Sequence, residues 1–248
     1  MNMTNKSATR KAVFSGLSIQ AQISSVAEAP IVYLLDNMAD HSSVQVPDNV
    51  SLVVIGVDQW EHRFSPWKAS RVFAKGADFG DGAQDTFSTI TEQIIPWAES
   101  SLPKPPAYRI LVGYSLAGLF SLWSGLSQQN IAPNTFYASV PSTVNQKNKV
   151  IFQRIGAVSG SFWFPGLTDY VDKQLSSGEV NLARVYLSLG DREERTPNPQ
   201  IMLVRKNAEL ITQELKTAGI TATFELNRGN HFQNIDVRMQ KAVEYLLK

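Results

Sequence analysis

The chain contains no cysteine. Disulfide frameworks, thiolate metal sites and a cysteine nucleophile are therefore excluded. Histidine is scarce as well, with three residues: His41, His62 and His231. Any mechanism that needs an imidazole must use one of them, and their spacing matches no common metal-ligand pattern. Neither charge sign is in excess, because 23 Lys and Arg against 22 Asp and Glu leave a formal net charge of +1. No global basic field points to nucleic acid, and no run of like charge forms a tail. No stretch approaches the ~18 consecutive apolar residues of a membrane span. Residues 1–11 are polar with scattered bases and lack the apolar core of a signal peptide. The expectation is a soluble, cytoplasmic protein with neither nucleic-acid nor membrane partners.

The 248 residues are 43% hydrophobic and 18% charged, enough to bury a substantial core. That size suits one large domain over residues 1–248. Short apolar runs recur at 31–35 (IVYLL), 52–57 (LVVIGV), 109–113 (RILVG), 155–159 (IGAVS), 184–189 (RVYLSL) and 221–226 (TATFEL). The second, third and fifth are nearly continuous, as in strands buried on both faces of a parallel sheet. Residues 12–25 instead alternate around Gly16, which predicts an antiparallel hairpin or edge pair. Helical periodicity lies between the runs: 86–102 with a bend at Pro96, 116–126, 199–218 stopped by Gly219, and 235–247. Strands alternating with helices predict an α/β fold, with a mostly parallel central sheet and helices on both faces. Two stretches, 58–82 and 127–149, look irregular, and excursions of this kind at strand ends build or cover substrate sites.

The most informative segment is Gly113-Tyr114-Ser115-Leu116-Ala117-Gly118, which follows a buried strand and opens an apolar helix. That is the context of a nucleophile elbow, where a serine in a strained turn needs small residues two before and two after it. The Leu116 amide then faces the same space and can donate to an oxyanion. A serine hydroxyl needs a base, and the base needs an orienting acid. In this fold class the chain order is serine, acid, histidine, and His231 is the one histidine after Ser115. The acid is expected just beyond the run at 184–189, where Gly190-Asp191-Arg192-Glu193-Glu194 offers three carboxylates. Glu193 is preferred for its offset from the strand, with Asp191 as the alternative. The second oxyanion donor is expected in the loop after 31–35, at the backbone of Asn37 or Met38, with Asp36 holding that loop. Tyr114, Trp163 and Trp60 are the expected substrate-pocket residues. His41 and His62 are expected to be polar loop histidines.

The segments YLLDNMADH, GYSLAGLFSLW, VSGSFWFPG, YLSLGDREERT and GNHF occur in an order that resembles α/β-hydrolase esterases of the esterase D and siderophore-esterase type, near the enterochelin and salmochelin branch. The resemblance runs from about residue 30 to the C-terminus. It implies an α/β-hydrolase fold, Ser115 as nucleophile, His231 as base and, through a G-x-x-E segment, Glu193 as acid. Asn37 stands where that family often has glycine, and Gly160 where it usually has proline. The implied activity is serine carboxylic-ester hydrolysis of a small-molecule ester, with no metal or organic cofactor. Acyl transfer, thioester or peptide hydrolysis on the same triad, or a non-catalytic binding role, are the alternatives. Siderophore esterases use cationic side chains to attract their substrates. Arg63, Lys68, Arg71 and Lys75 in the first excursion are either such a patch or an ordinary solvated face, and the sequence commits to no siderophore.

Overall fold

A computed structural model describes residues 9–37, 39, 42–127 and 150–248. The segment 128–149, Met38, Asp40 and His41 lie outside the described residues. The described chain begins with the strands β1 (Arg10–Phe14) and β2 (Leu17–Gln22). They form an antiparallel hairpin closed by Ser15 and Gly16, both at positive φ, as the alternation around Gly16 predicts. β3 (Ile31–Asp36), β4 (Ser51–Gly56), β5 (Arg109–Tyr114), β6 (Arg154–Val158), β7 (Arg184–Gly190) and β8 (Thr221–Asn227) follow. Together they make one eight-stranded sheet in the order β1-β2-β4-β3-β5-β6-β7-β8. β2 is antiparallel to β4, and every pairing from β4 to β8 is parallel. The carboxyl ends of six strands therefore lie along one edge of the sheet.

The apolar runs become strands because both faces of the sheet are covered. β4 is buried at every position, and β5 at every position after its first. One face packs against α2 (Ala83–Thr89), α3 (Ile95–Glu99), α4 (Leu116–Ser127), α5 (Leu167–Ser176) and α6 (Val204–Thr217), which share the larger core with Tyr33, Ile55, Leu111 and Leu187. The other face is covered by α7 (Ile235–Leu247) and by Val44, Val46 and Val50. α4 is buried all round from Leu116 to Leu126, which explains why its sequence is apolar without a polar stripe.

The helix predicted over 86–102 begins earlier, at Ala83, and contains a π turn at Ile90–Ile94 between α2 and α3. The amide of Ile95 reaches back five residues to the Ile90 carbonyl. This wide turn carries the chain past Pro96, whose ring would otherwise collide with the carbonyl four residues earlier. At the opposite edge from the strand carboxyl ends, Arg109 makes a bidentate pair with Glu99, 2.6 and 2.7 Å, and Tyr33 donates to the same carboxylate. That network ties α3 to β5 and β3. No helix among the described residues is long and apolar enough to cross a membrane.

Candidate active site

β5 delivers Ser115 in a turn that few sequences could make. A Cβ on Gly113 would lie 2.3 Å from the backbone oxygen of Ala117. The position therefore has to be glycine for α4 to start so close to the strand. Ser115 takes φ +56°, the left-handed region that costs a non-glycine residue energy. Three backbone hydrogen bonds hold it there. Its N–H donates to Val158 (3.0 Å), and its carbonyl accepts from Leu119 (3.0 Å) and Ser161 (3.1 Å). Leu116 opens α4, and amides of a first helical turn have no intrahelical acceptor.

β8 and β7 bring up the partners. His231 lies in the loop between β8 and α7 with Nε2 3.0 Å from Ser115 Oγ and Nδ1 2.8 Å from Glu193 Oε2. Residues 116 and 38 positions apart in the chain thus meet in one hydrogen-bonded line. Glu193 is 9% exposed, and its other oxygen, Oε1, accepts from the Gly190 amide (2.5 Å) and from Arg238 (2.9 Å). Burial alone would push this carboxyl up. The hydrogen bond and charge of His231, with the Gly190 amide, outweigh burial and hold it below its ordinary value. Asp191 is turned the other way and accepts from the Gly229 amide (2.9 Å), pinning the loop that carries His231. Glu194 pairs with Arg205 at 3.3 Å.

A cavity of about 360 Å³ opens over this line and is reached by Ser115, Leu116, Glu193 and His231. The excursion at 58–82 forms one wall. It contributes the short helix α1 (Trp60–Arg63) and an isolated bridge between Ala69 and Phe79. Trp60 and Trp163 both line the cavity. Trp60 is fixed by its indole N–H on the Val57 carbonyl (2.7 Å), and Trp163 packs on Phe79 at 5.7 Å between ring centroids.

Tyr114 requires a correction: it does not line the cavity. Side chains alternate across a strand, so Tyr114 falls on the α7 face of β5 with Ile110 and Val112. There its ring packs on His231, 5.2 Å between centroids, and its hydroxyl donates to the His231 backbone carbonyl. The oxyanion loop also differs from expectation. The Asn37 amide donates to Asp36 Oδ1 at 2.7 Å, and Asn37 is not part of the cavity lining; Met38 lies outside the described residues. The Asp36 carboxylate thus bonds the first amide of that loop. His62 lies in α1 against Gly80 and Gly82, away from the cavity lining. Of the excursion's cations only Arg71 reaches the cavity, since Arg63 is bonded to Asp58 and the Ser15 carbonyl and Lys68 faces Asp81.

Two residues at the site escape sequence reasoning, Ser159 and Arg238. Ser159 follows β6 directly, at φ +45°, and is fully buried. Arg238 is buried among Met239, Ala242, Val243 and Leu246 on the inner face of α7. A charged residue inside an otherwise apolar helical stripe was the available signal. No group of three or more His, Asp or Glu among the described residues could hold a metal ion.

A sheet in this order, with a serine in the tight turn after its fifth strand, defines the α/β-hydrolase class. Residues 25–234 match the model of the family described as "Putative esterase", and the chain belongs to that family. A curated relative, the uncharacterized protein YbbA of Bacillus subtilis (strain 168), is 29% identical over 175 residues, 68% of this chain. The match spans 61% of YbbA, less than two thirds of its length. Among solved structures, the siderophore hydrolase EstA from Aspergillus nidulans is similar with a TM-score of 0.66 at 16% identity, over 98% of this chain and 94% of EstA. An IroE-like serine hydrolase from Shewanella oneidensis gives 0.68 at 16% identity, over 92% of this chain and 75% of that one. At these identities the structural likeness is one of fold.

Proposed function

We propose that the protein is a serine carboxylic-ester hydrolase acting on a small-molecule ester, with Ser115 as nucleophile, His231 as base and Glu193 as acid. The observation that carries this reading is the unbroken line from Glu193 through His231 to Ser115 at the floor of the cavity. Family membership and the printed names of the structural neighbours support it.

In the proposed reaction Ser115 Oγ attacks the ester carbonyl as its proton passes to His231 Nε2. Glu193 keeps the other ring nitrogen protonated and stabilises the imidazolium. The Leu116 amide donates to the oxyanion; losing one such donor typically costs ~100–1000-fold in rate. Collapse of the tetrahedral intermediate breaks the bond to the alcohol oxygen, which takes the proton from Nε2. Water, deprotonated by His231, then attacks the acyl-Ser115 carbonyl; collapse breaks the bond to Ser115 Oγ, which takes the proton back from Nε2 as the acid leaves.

The described cavity lining is mainly apolar, with Trp60, Val72, Phe79, Trp163, Ile201 and Val204; its one cation is Arg71, and Glu61 is its one carboxylate besides Glu193. This lining suits an ester with an apolar acyl or alcohol part better than a multiply anionic siderophore. The test is hydrolysis of p-nitrophenyl esters together with fluorophosphonate labelling of wild type and Ser115→Ala. Turnover and labelling that vanish in the variant are expected. A wild type that is neither active on any short ester nor labelled would sink the proposal.

A further inference from the structure

We infer that Arg238 is a positioning residue that sets both the acid and the base of the catalytic line, an inference that rests on the roles proposed above for Glu193 and His231. Its guanidinium is fully buried, in the first turn of α7. One nitrogen donates to Glu193 Oε1 (2.9 Å) and Ser159 Oγ (2.9 Å), with the Tyr114 hydroxyl at 3.5 Å. The other donates to the carbonyls of Asn230 (2.9 Å) and Arg228 (3.4 Å), in the loop that carries His231. A single rigid fork thus grips the carboxylate and the backbone that carries the imidazole.

The division of labour on Glu193 explains why this matters. Oε2 is the atom on His231, and Oε1 is the atom on Arg238 and Gly190. A carboxylate rotates as a unit, so fixing Oε1 fixes the line from Oε2 to the ring. The fold makes room for this at a cost. A Cβ on Gly190 would lie 2.3 Å from the Gly229 carbonyl oxygen and 2.7 Å from an Arg238 nitrogen. Arg238 Nε is buried and has no hydrogen-bond partner among the described residues. Buried ion pairs are often replaceable by apolar residues without loss of stability, so a site chosen for packing alone would not need a guanidinium with an unmet donor. The arrangement is explained by orientation: a misplacement of about 1 Å in a catalytic group can cost ~100-fold in rate.

The experiment measures kcat and KM for p-nitrophenyl acetate in wild type, Arg238→Met, Arg238→Lys, Glu193→Gln and Arg238→Met/Glu193→Gln, each checked for folding by circular dichroism. Arg238→Met is expected to lower kcat about 30–100-fold with KM within about two-fold, because only the reacting groups are displaced. Arg238→Lys, which keeps a cation beside Glu193, is expected to recover part of that loss. In the Glu193→Gln background Arg238→Met should cost clearly less than in the wild-type background, about ten-fold at most, because the share acting through Glu193 is already lost and only the hold on the His231 backbone remains. The same fold-loss in both backgrounds, or an Arg238→Met enzyme with kcat within two-fold of wild type, roughly, overturns the inference. If Arg238→Met does not fold, Arg238→Lys in the two backgrounds makes the same comparison: coupled losses support the inference and independent losses overturn it. A Glu193→Gln enzyme with wild-type kcat would instead sink the acid assignment, and this inference with it.

Discussion

Replacing Glu193 by glutamine isolates the acid role proposed for it, because the two side chains have the same shape and differ in hydrogen-bond polarity. The carboxylate accepts from three donors: His231 at Oε2 (2.8 Å), and Gly190 (2.5 Å) and Arg238 (2.9 Å) at Oε1. Glutamine has one acceptor oxygen and one NH₂ donor. Two fixed donors converge on the Oε1 position, so the amide oxygen settles there and the NH₂ turns to His231. An NH₂ facing Nδ1 selects the tautomer with its proton on Nε2, the atom 3.0 Å from Ser115 Oγ. That nitrogen can no longer take the serine proton. Trapping the wrong tautomer in otherwise intact geometry costs about 10⁴-fold in kcat in the serine-protease precedent. Asp191→Asn is the control, since an asparagine oxygen still accepts the Gly229 amide. Its expected effect is within about two-fold, as for an ordinary surface substitution. Steady-state hydrolysis of p-nitrophenyl acetate by folded enzyme reads both. Retention of more than a tenth of wild-type kcat by Glu193→Gln, or a larger loss in Asp191→Asn, would refute the reasoning.

The remaining predictions concern the turn, the acid's titration and the tyrosine behind the histidine. Gly113→Ala places a methyl 2.3 Å from the Ala117 carbonyl oxygen. It should destabilise the fold by about 1–3 kcal/mol or more, read from urea unfolding midpoints; an unchanged midpoint would contradict the close approach. The Glu193 carboxyl lies below its ordinary value of 4.5 once folded. Its contribution to stability is therefore fully present above about pH 4.5 and is lost as pH falls through the lower folded value. Wild type should lose more stability than Glu193→Gln between neutral pH and this acid window, and parallel unfolding curves would count against it. Tyr114→Phe removes the hydroxyl that donates to the His231 carbonyl. The loss of one hydrogen bond worth about 0.5–1.5 kcal/mol should lower kcat up to about tenfold with KM unchanged. An altered KM would instead put Tyr114 back in the substrate pocket.

Legibility in the sequence followed physical locality. The buried parallel strands were readable because burial on both faces demands continuous apolar runs, as in β4 and β5. The elbow was readable because its steric demand falls on residues within two positions of Ser115. Helix α5 leaves no periodic signal in the sequence: it buries only Leu167 and Val171, too thin a stripe to register. The short helix α1 buries none of its four residues. The place of Tyr114 is not legible in the sequence, because proximity to Ser115 says nothing about which face of the strand a side chain takes.

The absence of cysteine and the scarcity of histidine leave Ser115, in its elbow, and His231 as the nucleophile and base to be expected from sequence alone, because chemistry is a property of residue type. The choice between Glu193 and Asp191 could not be made that way. Both leave β7 within three residues of Gly190, and what separates them is that one side chain turns to His231 and the other to the Gly229 amide. Arg238 had no local mark beyond being a charge in an apolar stripe. Its partners come from the ends of β5 and β6 and from the loops after β7 and β8, brought together because the carboxyl ends of parallel strands share one edge of the sheet. Orientation of this kind depends on contacts between residues far apart in the chain, and those contacts exist only once the sheet has formed.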